Sequence, residues 1–224
     1  MELKTRKIMI GLALMCIAFS NCTKEKEEAR EPVVFFSDDF ERATIGDNWD
    51  VMLDTSLLKL VNGELVVIGQ NKDNPDKGVI FLKNDGYNKT AFTTSVDFMK
   101  SADSPGVSTY MRLCTDPTYT NSGFVANVEF EVYDTYMNIT IGGNGTGGIN
   151  IKPIAAKIWH TMTLTVSGST VMVSVQTKAG EVLGTHTMKC TFTIKGYWGL
   201  SGASLNQGAK TGKPVYFDNF SIKQ

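Results

Sequence analysis

From Gly123 to Tyr133 the chain reads Gly-Phe-Val-Ala-Asn-Val-Glu-Phe-Glu-Val-Tyr, and no other run in it restricts the fold as much. Successive side chains of a strand point to opposite faces. Phe124, Ala126, Val128 and Phe130 therefore share one face, while Asn127, Glu129 and Glu131 share the other. The first face is built for a core. The second is either a solvated sheet surface or the floor of a polar cleft.

The same period of two recurs along almost the whole chain, and no stretch keeps a 3.6-residue apolar stripe. Strands are predicted at Val33 to Phe36, Leu57 to Leu60, Glu64 to Ile68, Gly78 to Leu82, Ala91 to Met99, Ser108 to Cys114, Phe124 to Tyr133 and Met137 to Ile141. They continue at Trp159 to Val166, Thr170 to Thr177, Gly184 to Met188, Gly196 to Gly202 and Val215 to Ile222. Asn62-Gly63, Ser167-Gly168-Ser169 and Lys178-Ala179-Gly180-Glu181 carry the residues that hairpin turns require. So many antiparallel strands in one domain make two packed sheets, an all-β sandwich of jelly-roll type.

The front of the chain has a different composition. Lys4, Arg6 and Lys7 precede the apolar run Ile8 to Phe19, which has the length of a secretory signal core and is too short to span a bilayer. It ends Ala18-Phe19-Ser20-Asn21-Cys22, which resembles a bacterial lipobox with Phe19 where leucine is usual. Residues 1–21 are thus expected to be a lipoprotein signal peptide and Cys22 the lipidated first residue, with an ordinary cleaved signal as the alternative. Residues 22–32 are charged, close on Pro32 and read as a flexible tether. Their early acidic residues resemble an export signal for the outer-membrane surface, and a periplasmic-facing lipoprotein is the other expectation. Residues 33–224 form the folded domain.

Without residues 1–21 the chain holds 19 basic and 22 acidic residues, a net charge near −3. That balance argues against a nucleic-acid surface, which needs a concentrated positive stripe. Of the four cysteines, Cys114 and Cys190 belong to the domain, either as a disulfide or as two buried thiols.

Three groups of residues carry a family resemblance. Phe36-Ser-Asp-Asp-Phe-Glu-Arg42 with Trp49 is similar to the opening of concanavalin A-like lectin/glucanase sandwiches. Trp159-His-Thr-Met-Thr-Leu-Thr-Val166 with Val171-Met-Val-Ser-Val175 resembles a hairpin of laminin G-like domains, and Gly196 to Gly202 with Val215 to Ile222 resembles their last two strands. Within that superfamily the chain looks like the 3-keto-disaccharide hydrolase domain family and the concanavalin-like modules of surface lipoproteins. The resemblance implies saccharide handling on the concave face, and for a surface lipoprotein a place beside an outer-membrane glycan-uptake complex. It does not imply one chemistry.

The catalytic reading rests on Glu129 and Glu131. Family 16 glucanases carry Glu-x-Asp-x-(x)-Glu on such a strand, and here Asn127 stands where the first carboxylate would be. A retaining mechanism needs two carboxyl groups about 5 to 5.5 Å apart, and i, i+2 neighbours with Cα atoms roughly 6.5 Å apart permit it. The binding reading adds Tyr110 and Arg112, which by resemblance share the polar face with Asn127, Glu129 and Glu131 and offer a sugar ring an aromatic plane and a guanidinium fork. The plain alternative is a structural cross-strand pair of Arg112 with Glu129 or Glu131. Trp198 and Tyr119 are expected on loop rims as further ligand contacts, and Trp49 and Trp159 as core plugs.

Gly143 to Gly148 matches G-x-G-x-x-G, yet Ile149-Asn-Ile-Lys-Pro153 cannot open a helix, so the segment reads as a loop at the cleft mouth. His160 and His186 have no zinc-site spacing. No cofactor is required; the resemblance implies a structural calcium at Asp218 with Asp39 as companion. The function expected is a lipid-anchored, lectin-like module for glycan capture. A glycoside hydrolase or keto-disaccharide-cleaving enzyme using Glu129 and Glu131, and a non-catalytic scaffold or adhesin, are the alternatives. A polar face covered by Gly142 to Lys157 would remove both saccharide readings.

Overall fold

Asn62 and Gly63 both adopt positive φ, at 53° and 77°. This is the backbone of a two-residue hairpin turn whose twist matches its strands, and it pairs Val61 with Glu64 across the first hairpin. The computed structural model describes residues 31–52, 57–68, 79–84, 90–101, 107–120, 123–142, 144–191, 193–204 and 213–224. At 52, 79, 116–120, 123–127, 144, 203 and 204 it describes the backbone alone. Residues Pro32–Gln224 make one compact unit.

Sixteen strands occur among the described residues: β1 (Val34–Asp38), β2 (Trp49–Met52), β3 (Leu58–Val61), β4 (Glu64–Ile68), β5 (Val79–Leu82), β6 (Ala91–Lys100), β7 (Val107–Thr120), β8 (Gly123–Val132), β9 (Tyr136–Ile141), β10 (Asn144–Gly145), β11 (Ile149–Asn150), β12 (His160–Ser167), β13 (Thr170–Thr177), β14 (Val182–Lys189), β15 (Tyr197–Ser204) and β16 (Pro214–Lys223). They form two sheets, ordered β14-β13-β12-β6-β16-β4-β3 with β1 on β16, and β10-β9-β8-β7-β15-β5-β2 with β11 on β9. Both sheets are antiparallel, and the architecture is the expected jelly-roll sandwich. β4 and β13 have the predicted bounds. The short β2, β10 and β11 are additions that no periodicity announces.

Inner faces interlock in the core. Val96 and Phe98 of β6, Met162 and Leu164 of β12 and Val173 of β13 face Met111 and Leu113 of β7, Phe130 of β8 and Ile139 of β9. Trp198 belongs here too. It is 1% exposed and meets Phe92 edge-on at 5.8 Å, so it fills the core and is not the rim residue expected. The pleat explains this, because Trp198 pairs with inward Leu113 and has the parity of buried Leu200. Trp49 is a core plug as read, while Trp159 is half-buried and its neighbour His160 takes the inward place. Cys114 and Cys190 are both buried and no disulfide links them.

Two further expectations change. β7 runs to Thr120, so the backbone at Tyr119 is strand and not a loop rim; its side chain lies outside the described residues. In β8, Ala126 pairs with Cys114 and Val128 with Leu113, so the ladder steps past Asn127. A bulge of this kind breaks alternation, and it falls in the run whose alternation was strict in sequence. The Asn127 side chain lies outside the described residues.

The described part of the segment from Gly142 to Lys157 closes the side of the sandwich. β10 and β11 pair with β9; then Lys152 N–H donates to Leu183 O and Lys157 N–H to Lys100 O, both in the other sheet. Ile154 is buried in the core. The segment touches the outer face of the second sheet at its rim, where Gly148 backs the Tyr136 ring.

Asp38 ties the first strand to the domain. Its carboxylate, 7% exposed, accepts from Arg42 Nη1 at 2.5 Å and Nη2 at 2.8 Å, from Trp49 Nε1 at 2.6 Å and from Phe40 N at 2.8 Å. Burial alone would raise its pKa; Arg42, Trp49 and Phe40 outweigh it and hold Asp38 below the ordinary 3.8. A depressed carboxylate stabilises the fold above its unfolded pKa and loses that contribution as pH falls through the folded one. Asp38→Asn should therefore cost about 3 kcal/mol at pH 7 and less at pH 2 to 3, measured by urea unfolding at both pH values. An equal cost at both would remove the charge from the account.

Candidate functional site

Residues one position away from the core set of β7, β8, β9 and β15 meet on the outer face of the second sheet. Tyr110 lies opposite Glu131 and Arg112 opposite Glu129 across β7–β8. Across β8–β9, Glu131 faces Asn138 and Glu129 faces Thr140. Ser201 of β15 continues the row from Tyr110, and Gly199 the row from Arg112. Gly199 is needed for close approach, since a Cβ there would lie 2.4 Å from a carbon of the Phe81 ring.

These side chains form one polar network. Arg112 Nε lies 2.8 Å from Glu129 Oε2, and its guanidinium sits 4.3 Å from the centroid of the Tyr110 ring. Asn138 Nδ2 donates to Glu131 Oε2 at 3.3 Å. Tyr133, just past β8, stacks on Tyr136 at 4.1 Å and 17°. Burial first, and then the Glu131 carboxylate, push the Tyr110 and Tyr133 phenols above the usual value of 10.0. They stay protonated and act as donors, not as nucleophiles.

The network has a deep part and an accessible part. Tyr110, Arg112 and Glu131 are 8%, 7% and 6% exposed. The Glu129 side chain keeps 29%, and Tyr136, Asn138 and Thr140 are half-buried beside it. The structure thus brings Tyr110, Arg112, Glu129 and Glu131 together and leaves Trp198 out of the group. Tyr133, Asn138 and Ser201 are additions. Asn138 and Ser201 could have been found by parity, each one residue from a buried Ile139 or Leu200.

Donors stand beside both carboxylates: Glu129 faces the Arg112 guanidinium, and Glu131 faces the Asn138 amide.

Asp39 is exposed and accepts from Glu41 N–H at 3.1 Å. Asp218 lies on the outer face of the first sheet opposite Asp97. Burial first, then Asp97 and Glu41, raise its pKa above the ordinary 3.8. Asp97 is already held by Thr161 at 2.6 Å, Lys178 at 2.5 Å and Asn219 at 3.0 Å. Among the described residues no three His, Cys, Asp or Glu side chains could hold a metal ion together. A depression of about 550 Å³ between β1 and β16 includes Asp38 and Arg42 in its lining, but these are occupied with each other.

No protein-family profile and no curated protein matches the chain. Solved structures do. The VIP36 exoplasmic/lumenal domain in its metal-free form matches with TM-score 0.61 and 11% identity over 87% of this chain and 93% of its own. Peanut lectin matches with TM-score 0.59 and 16% identity over 86% and 97%. A xylan beta-1,4-xylosidase from Bacillus halodurans matches with TM-score 0.58 and 16% identity over 84% of this chain, which spans 39% of the xylosidase. The chain has the concanavalin A-like β-sandwich fold that these lectins and hydrolase modules share.

A double-mutant cycle on Arg112→Ala and Glu129→Ala should give a coupling of about 1 kcal/mol in urea unfolding, as for a partly buried pair. A coupling indistinguishable from zero would mean that the pair is not formed in solution.

Proposed function

We propose that the chain is a lipid-anchored, extracytoplasmic carbohydrate-binding module that captures glycan on the outer face of its second sheet. The observation that carries this reading is the network of Tyr110, Arg112, Glu129, Glu131 and Asn138, in which hydrogen-bonding groups converge beside the stacked Tyr133 and Tyr136. Sugar hydroxyls suit such a mixture of acceptors, donors and aromatic edges. The fold shared with lectins supports the same reading. Capture by these groups requires no cofactor.

Cys22 supplies the anchor, residues 22–32 the tether, and the outer membrane the location, with the glycan passed to an uptake complex alongside. The competing reading is a glycoside hydrolase, favoured by two carboxylates two residues apart on one strand.

Affinity electrophoresis of the purified protein through gels containing neutral polysaccharides should show retardation, and Asn138→Ala should weaken it about tenfold, one lost hydrogen bond. Release of reducing sugar that Glu129→Gln abolishes would replace the module by an enzyme. Absence of both binding and turnover would leave a scaffold or adhesin. Separately, metabolic labelling with a radioactive fatty acid should mark the full chain and be lost in Cys22→Ala; unlabelled wild-type protein would refute the anchor.

A further inference from the structure

The five strands β5, β15, β7, β8 and β9 contain one Lys or Arg among their described residues, Arg112. It is not presented to the outside. Its guanidinium is 2.8 Å from Glu129 on one side and lies against the Tyr110 ring at 4.3 Å on another, and the residue is 7% exposed. The carboxylate that neutralises it is the more accessible partner, with 29% of its side chain exposed against 9% for Arg112. Beside this pair Glu131 contributes a second negative charge from the same strand. At the far end of the face Lys83, just past β5, is opposed by Asp50 at 3.5 Å.

An approaching ligand therefore meets carboxylate before guanidinium. We infer that this face selects uncharged glycans and rejects those bearing carboxylate or sulfate groups, an inference that rests on the glycan-binding reading above. Glu129 Oε2 is held by Arg112 while 29% of the side chain stays exposed; a carboxylate can accept from vicinal hydroxyls of one ring, and each bond to a charged acceptor is among the stronger ones. A ligand anion brought to the same place would confront the excess charge of Glu129 and Glu131 over Arg112, in surroundings where burial weakens screening. It would also have to compete with Glu129 for a guanidinium already stacked.

The comparison is made with the full chain in detergent, by affinity electrophoresis at low and high salt. The probes are neutral arabinoxylan, xyloglucan and galactomannan, set against glucuronoxylan, polygalacturonate and dextran sulfate. At low salt, the best neutral probe is expected to bind at least tenfold tighter than any acidic one, with little effect of salt on the neutral probe. Glu129→Gln should weaken the neutral probe about fivefold and narrow the preference by strengthening the acidic ones, because it removes a negative charge from the accessible side of the pair. Circular dichroism melting of Glu129→Gln within a few degrees of the wild type separates this from loss of fold. Acidic probes that bind as tightly as neutral ones, or a preference that Glu129→Gln leaves unchanged in a folded protein, would overturn the inference while sparing glycan binding. Retardation by no probe at all would overturn both.

Discussion

Each polar group on the outer face of the second sheet stands where it does because a neighbour one residue away must be buried. Met111, Leu113, Phe130, Ile139 and Leu200 are all fully buried and point inward. The pleat then leaves Tyr110, Arg112, Glu131, Asn138 and Ser201 only the opposite direction. A slip of one residue in any of these strands would exchange the two sets, so the hydrophobic core and the polar network are specified by the same register. The network is in this sense a by-product of core formation.

Much of this was legible in the sequence, for a physical reason. Period-two patterning and turn chemistry are local, and they place β4, β13 and the Asn62-Gly63 hairpin directly. The sharing of one face by Tyr110, Arg112, Glu129 and Glu131 also follows once β7 and β8 are taken as neighbours. What escaped is non-local. The bulge at Asn127 depends on how β8 meets β7, and the alternation of the segment alone gives no sign of it. Trp198 looked like a rim residue beside Tyr197 and a loop, although the parity it shares with Leu200 already pointed inward. Gly142 to Lys157 read as a loop because its strands are two residues long and its apolar residues are spent on the gap between sheets.

Charged groups elsewhere connect parts of the domain that are distant in sequence. Asp97 joins β6 to Thr161, Lys178 and Asn219. Lys100, fully buried at the end of β6, pairs with Asp134 in the turn between β8 and β9, one sheet reaching the other. His160 lies near it, its pKa lowered from the ordinary 6.5 by burial first, with Lys100 acting in the same direction against a bond to the Ile158 backbone. Such groups are costly to desolvate, and their worth lies in fixing one arrangement of the sheets more than in net stability.

The segment from β10 to Lys157 also bears on how copies of the protein behave near one another. An open sheet edge is a template for another chain's strand, and proteins exposed at high local concentration must blunt it. Here β10 and β11 occupy the free side of β9, and the following residues turn away to the other sheet, so no long run of unpaired backbone remains along β9. Molecules crowded together then find no long template for strand addition along this edge of the second sheet.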